Sequence, residues 1–401
     1  MNDYDVKCFD TVDEVHDFFS SQEKTDKWHR IYTSEIEAIP LENNRFNLFI
    51  TGAFKHTCAD GFVIYGFEPD VSENDIITSM DTTKMSVAIS NNTKKVLYPL
   101  RHTAFGHIQD RAGVCGRSIN GLKEKNRAKE MSPETRCKCL NYGLQLYKDS
   151  TLVLVRDGKV TALLSGDGND YAIMPTTRLM KILESELINE FNDFEFLGGK
   201  TTHEITVIQY RINDPGLESA IVNMLQSYGM TVNQVTIGVQ LTTSDVGLSA
   251  ARLTPMLCFD GRPFIAFGQS LCVEHKGGDK AMTLFVDITH RFLASFRDNT
   301  DNITRMMNVR IKSPGRCLKN VYDALKMKGY SYELRECCER IEAEHHSYCT
   351  AFDIYWYMNE MLLTFDENRK IKGTPTSPLD SIKAQESVAQ VLFMDISAFD
   401  E

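Results

Sequence analysis

Residues 235–259 read VTIGVQLTTSDVGLSAARLTPMLCF. Val235, Ile237, Val239 and Leu241 alternate with Thr236, Gly238 and Gln240, the period-two pattern of a half-buried strand. The pattern runs into Thr242, Thr243, Ser244 and Asp245, residue types that favour leaving a strand. Gly247 breaks it, and a small-residue run leads through Arg252 to Pro255. LTPMLCF (253–259) and FIAFGQSLCVEH (264–275) continue the β-rich section.

Outward from there the signals segregate. THEITVIQYRI (202–212) is a strand, and DPGLESAIVNMLQSYG (214–229) is a turn followed by a helix that stops at Gly229. TLVLVRDGKVTALLS (151–165) is a hairpin, because Asp157-Gly158 between β-rich runs is a type I′ signal. PTTRLMKILESELINEF (175–191) puts Leu179, Leu183, Leu187 and Phe191 on one helical face. Leu100, Ala104, Ile108 and Ala112 repeat at helical spacing before Gly113, and Ser132-Pro133-Glu134 opens another helix as N-cap, first position and first-turn acid. Near the N-terminus, 12–20 is a short amphipathic helix, and Phe46–Phe54 with Phe62–Phe67 reads as an antiparallel pair around the turn HTCADG. Beyond about Asp287, helices are expected near 287–297, 315–328, 330–346 and 349–363, until TPTSPLD breaks the pattern.

Strands and helices do not alternate as βαβ units, so the expected class is α+β. The expectation is a central mixed or antiparallel sheet with packed helices and a mainly helical C-terminal region. The expected organisation is a β-rich region over 1–99, an α+β core over 100–286, a helical region over 287–375 and a tail over 376–401. At 401 residues with 42% hydrophobic and 25% charged composition, a sizeable core is expected.

Composition excludes several classes. No apolar run reaches the length of a membrane span, and MNDYDVKCFD lacks the apolar region of a secretory signal, so a cytoplasmic chain is expected. The 11 cysteines are scattered without a CxxC pair, which suits reduced, mostly buried thiols. The net charge of −11 argues against a generic nucleic-acid coat. Residues 117–138 depart from it: Arg117, Lys123, Lys125, Arg127, Lys129, Arg136 and Lys138 against Glu124, Glu130 and Glu134 give +4, leaving −15 elsewhere. Composition alone favours a solvated helical face for this segment; the functional reading is a phosphate-binding surface.

Ser244, Asp245 and His275 are the residue types of a nucleophile, an orienting acid and a base, but the G-x-S-x-G elbow is missing. Glu342, His345, His346 and Cys349 have the spacing of one helix face, yet one Glu-x-x-His is half of a di-iron motif and no second exists. GDGND and GGDK lack phosphate-loop spacing, and HExxH does not occur. The aromatic run YCTAFDIYWY (348–357) reads as a packed helix face, with base stacking as the functional alternative. No catalytic residue, metal or cofactor is expected.

Five stretches resemble, in order, the phage/plasmid-like protein family, a domain of unknown function found in phages, plasmids and integrative elements. They are LRHTAFGHIQDRAGV (100–114), LVLVRDGKVTALLSGDGNDYAIMPTTRLMKIL (152–183), LTTSDVGLSAARLTPML (241–257), CVEHKGG (272–278) and YCTAFDIYWYMNE (348–360). The second resembles the family's most characteristic block. The resemblance covers roughly 100–365. It departs at FDGRPFIAFGQSLC (259–272), where the family often has Cys-x-Asn-Gly. The family brings no established reaction; it implies mobile-element DNA metabolism in a bacterial host.

Together these readings lead to a non-catalytic, homo-oligomeric protein that handles single-stranded DNA, by annealing or as a recombination or replication accessory. Arg117, Lys123, Lys125, Arg127 and Lys129 would contact phosphates, with Arg136 and Lys138 in support. Ser244, Asp245, Arg252 and His275 would line a groove or subunit contact. The competing expectation is an interaction factor that inhibits or recruits a host protein; a hydrolase or metal enzyme comes third.

Overall fold

The computed structural model describes residues 5–42, 46–69, 71–91, 94–114, 116, 131–167, 171–294, 299–345 and 348–400. The fold is α+β. Among the described residues its main sheet is seven-stranded and antiparallel at every pairing. The order is Lys7–Phe9, Phe194–Thr201, Thr206–Ile212, Val235–Thr243, Ala251–Phe259 and Ile265–Ala266, with Leu271–Val273 also on Ala251–Phe259.

Val235, Ile237, Val239 and Leu241 point into the main core, as their alternation requires. Helices Val12–Thr25, Thr176–Phe191, Pro215–Ser227 and Lys280–Ala294 contribute apolar residues to it. Leu179, Leu183 and Leu187 are fully buried, each worth about 1.5–3 kcal/mol of transfer free energy. The helix Thr176–Phe191 starts against a carboxylate, since Thr177 donates its backbone N–H (3.3 Å) and hydroxyl (2.8 Å) to Glu23. Glu184 on this helix accepts from the Tyr210 hydroxyl (2.7 Å) and meets His16 (3.2 Å), which ties strand and both helices together.

The opposite face of Val235–Thr243 is also buried, which corrects the half-buried expectation. The cause is the C-terminal segment. Pro378–Ala389 is a helix, and Leu379 and Ile382 cover Ile205 and Val207, while Ala389 covers Met256 and Ala266. Val388, Val391, Leu392 and Ile396 are buried in the main core, so 376–401 is not a loose tail. On this face the Gln209 amide donates to the Gln240 side-chain oxygen at 2.8 Å, so the half-buried Gln209 satisfies the buried Gln240.

Residues 27–165 form clusters of their own, while Leu154 and Ala162 pack with Val246 beyond the strand exit. The sheet Lys27–Tyr32, Ser150–Arg156, Lys159–Ser165 and the sheet Glu37–Pro40, Met85–Asn91, Lys94–Pro99 enclose Leu100, Ala104 and Ile108 of the helical pattern read from sequence. Asp157 and Gly158 both take positive φ (52° and 70°), the type I′ geometry expected there. Ser132 caps Pro133–Leu146 by accepting from the Thr135 N–H at 3.2 Å. The clusters therefore group the chain as 7–25 with 172–399, and 27–165 inserted between them. That differs from the boundaries at 99 and 286, because Lys7–Phe9 pairs with a strand near residue 200.

Phe46–Phe54 is not a strand. Phe46–Ile50 is one helical turn, and Phe49 stacks on Phe54 (4.2 Å) and packs on Phe67 (5.4 Å) in a small satellite core. The β propensity of the aromatics is overridden by this packing. The pair expected nearby reduces to His56–Thr57 with Val63–Ile64. The helices expected near 287–297, 315–328, 330–346 and 349–363 occupy Lys280–Ala294, Pro314–Ala324, Ser331–Glu344 and Ala351–Ile371, and Asn299–Met307 adds a further helix. No described helix is long and apolar enough to cross a membrane.

Candidate functional site

The strand exit Thr243–Asp245 meets the hairpin tip and the first helix at a buried charge junction. Arg156, at the end of Ser150–Arg156, binds Asp26 at the C-cap of Val12–Thr25 through Nε (2.9 Å) and Nη2 (2.6 Å). The same Nη2 reaches Asp245 at 2.9 Å. Burial raises the Asp26 carboxyl above its ordinary value, and Arg156 opposes that rise. Asp245 is thus committed to joining the inserted unit to the main sheet.

Ser244 is equally committed. Its hydroxyl donates to the Glu204 carbonyl (2.6 Å) and accepts from the Leu248 N–H (3.2 Å). His275 Nδ1 faces the Ala172 carbonyl (3.1 Å), and Nε2 faces Thr243 Oγ1 (3.4 Å), not Ser244. Burial holds the His275 pKa below its usual value, against the pull of the Asp245 charge. Tyr171 stacks on His275 (5.3 Å) and on Trp28 (6.1 Å) and donates its hydroxyl to the Asp245 carbonyl (3.0 Å). With base and hydroxyl each bonded elsewhere, these residues form a braced turn and lack the nucleophile–base contact of a triad.

The brace does border a groove of about 340 Å³, lined among others by Tyr171, Gly247, Leu248, His275 and Lys276. Of the four turn residues singled out in the sequence, His275 lines this groove, while Ser244 and Asp245 stand behind its wall. Arg252 does not belong to it. Its side chain lies on the opposite sheet face and pairs with Glu386 of the C-terminal helix at 2.7 Å. The alternation of the strand Ala251–Phe259 separates them.

Arg117, Lys123, Lys125, Arg127 and Lys129 lie outside the described residues. Arg136 does not support phosphate contacts: it is 1% exposed, with its guanidinium 5.8 Å from the Phe105 ring centroid. Its place on the inner face of Pro133–Leu146, beside Cys137 and Leu140, buries it. Lys138 is exposed and pairs with Glu134 one turn earlier at 2.8 Å.

The face read over 342–349 is dismantled. The helix ends at Glu344, His345 is its C-cap, and Cys349 is buried in a strand paired with Arg310–Ile311. His346 lies outside the described residues. The aromatic run is a packed helix face: Phe352, Tyr355 and Tyr357 are buried.

A different group escaped the sequence. Glu37, His56 and Cys58 bring one carboxylate oxygen, one ring nitrogen and one sulfur within 4.8 Å of one another. His56 Nε2 and Glu37 Oε1 are 2.7 Å apart, and Glu37 Oε2 accepts from the Ala59 N–H at 3.0 Å. Burial, aided by the Glu37 charge, pushes the Cys58 thiol up to about 12. Only the H-x-C spacing at 56–58 was legible; Glu37 arrives from a separate strand.

Comparison with family models, curated proteins and solved structures returned no match for this chain.

Proposed function

We propose that this chain is a non-catalytic protein that binds single-stranded DNA in a bacterial cytoplasm, as a homo-oligomer acting in annealing or as a recombination or replication accessory. The observation that carries this reading is charge segregation. Residues 117–129 hold Arg117, Lys123, Lys125, Arg127 and Lys129 against Glu124 alone, in a chain of net charge −11. Such a concentration gives counterion-release binding a local origin despite the overall sign. The non-catalytic part is supported by the strand exit, where Ser244, Asp245 and His275 are each consumed by structural bonds. The setting rests on the family resemblance.

Five neutralised phosphates at a slope of about −0.7 each weaken binding by about a hundredfold over a fourfold rise in salt. The test is fluorescence anisotropy of a labelled single-stranded oligonucleotide at two salt concentrations, with light scattering for the assembly state. The triple variant Lys123→Glu, Lys125→Glu, Arg127→Glu abolishes binding on this reading. Unchanged affinity in that variant removes it. No binding by the wild type at low salt leaves the interaction-factor reading, which the acidic remainder of −15 favours through docking on a basic partner.

A further inference from the structure

The geometry points to a zinc-type metal site formed by Glu37, His56 and Cys58, with a fourth position open to water. Tetrahedral zinc, with bonds of about 2.0–2.3 Å, sets its donors about 3.3–3.8 Å apart. Three donors already within 4.8 Å of one another lie close to that spacing. The 2.7 Å contact between His56 Nε2 and Glu37 Oε1 opens as the ion enters between them.

The surroundings prepare the donors individually. Glu37 Oε2 is held by the Ala59 N–H, which leaves Oε1 facing the cluster. The His56 ring lies parallel to Phe54, with 4° between planes and 6.3 Å between centroids, and so is steered toward Glu37. The Glu37 side chain is 10% exposed and that of His56 33%, so the open side of the cluster is the histidine side, where solvent supplies a fourth ligand.

Charge and donor type select the ion. One thiolate and one carboxylate neutralise a divalent cation, and the neighbouring Asp60–Lys95 pair (2.6 Å) balances itself. On binding, the sulfur–metal bond replaces the S–H bond and the thiol proton leaves to solvent. Sulfur with imidazole favours zinc and cobalt over magnesium and calcium. The ion would join the strand Glu37–Pro40 to the short pair His56–Thr57 and Val63–Ile64, stapling a satellite core of ten buried residues among the described residues. This inference does not depend on the DNA-binding reading.

The test is titration of the reduced full chain with cobalt(II), followed by its sulfur-to-cobalt charge-transfer absorption. The expected result is one saturable ion per chain, displaced by zinc, with the band lost in Cys58→Ser. Absence of the band in the wild type overturns the site. A band that survives in Cys58→Ser assigns the metal to another cysteine and overturns it equally. Should Cys58→Ser not fold, His56→Ala carries the test at a more exposed position: cobalt affinity falls at least tenfold, and unchanged affinity overturns the site.

Discussion

Replacing Arg156 by methionine keeps an unbranched side chain, shorter than arginine, and removes its charge. Two carboxylates then lose their cation. Asp26, 6% exposed in its side chain, loses a bidentate partner at 2.6 and 2.9 Å and has little water to replace it. Asp245, 22% exposed, loses a 2.9 Å partner and is partly rehydrated, so its share is smaller. Breaking a buried pair from one side costs about 3–5 kcal/mol, and Arg156→Met should fall in that range at neutral pH. The deficit has a definite pH dependence. The folded-state pKa of Asp26 already lies above its ordinary value, because burial outweighs Arg156. A carboxyl raised in the folded state favours folding below its ordinary pKa, and that contribution is lost as pH rises through the folded value. Without Arg156 the folded value rises further, so the deficit is widest at neutral pH and narrows on acidification as Asp26 takes a proton. Urea unfolding read by tryptophan fluorescence measures this directly, since Trp28 sits two residues from Asp26 and Trp356 reports from the main core. A loss below about 1 kcal/mol at neutral pH, or a loss that does not change on acidification, refutes the assignment of the junction as a buried ion cluster.

Two further perturbations test other parts of the fold. Gly143→Ala should destabilise despite gaining about 1 kcal/mol in helix propensity, because the new Cβ would lie 2.0 Å from the Ala112 carbonyl oxygen; a raised thermal midpoint would contradict this packing of helix Pro133–Leu146. Burial lowers the folded-state pKa of His29, His107 and His275, so full stability is present above the ordinary histidine value of 6.5 and is lost as pH falls through and below it; thermal midpoints should drop over that window, and His275→Gln should flatten the drop.

Elements governed by local periodicity were readable in the sequence. The Leu179, Leu183, Leu187 face, the Asp157-Gly158 turn and the Ser132 cap all follow from residues within one or two turns of each other. What depends on remote partners was not readable. The polar face of Val235–Thr243 looks solvent-facing until a helix more than a hundred residues later covers it. Arg136 looks like a member of a basic run until Phe105 is placed beside it. Ser244 and His275 have the right chemistry for a triad, and only their carbonyl partners show that the chemistry is spent on a turn. Phe46–Phe54 misled because aromatic runs serve short helical turns and strands alike when a small core collects them.

The insertion of 27–165 between Val12–Thr25 and Thr176–Phe191 sets an order of events during synthesis. The inserted unit closes when Ser150–Arg156 pairs with Lys27–Tyr32, so its strands are complete once residue 165 has been made, and Leu154 and Ala162 then wait for Val246. The strand Lys7–Phe9 must wait for Phe194–Thr201, and the sheet's second face stays open to water until Pro378–Ala389 is made. A stretch translated after all of the sheet's strands therefore closes the main core. A ribosome stalled before residue 378 should display a finished inserted unit beside an open sheet, the form most in need of a chaperone.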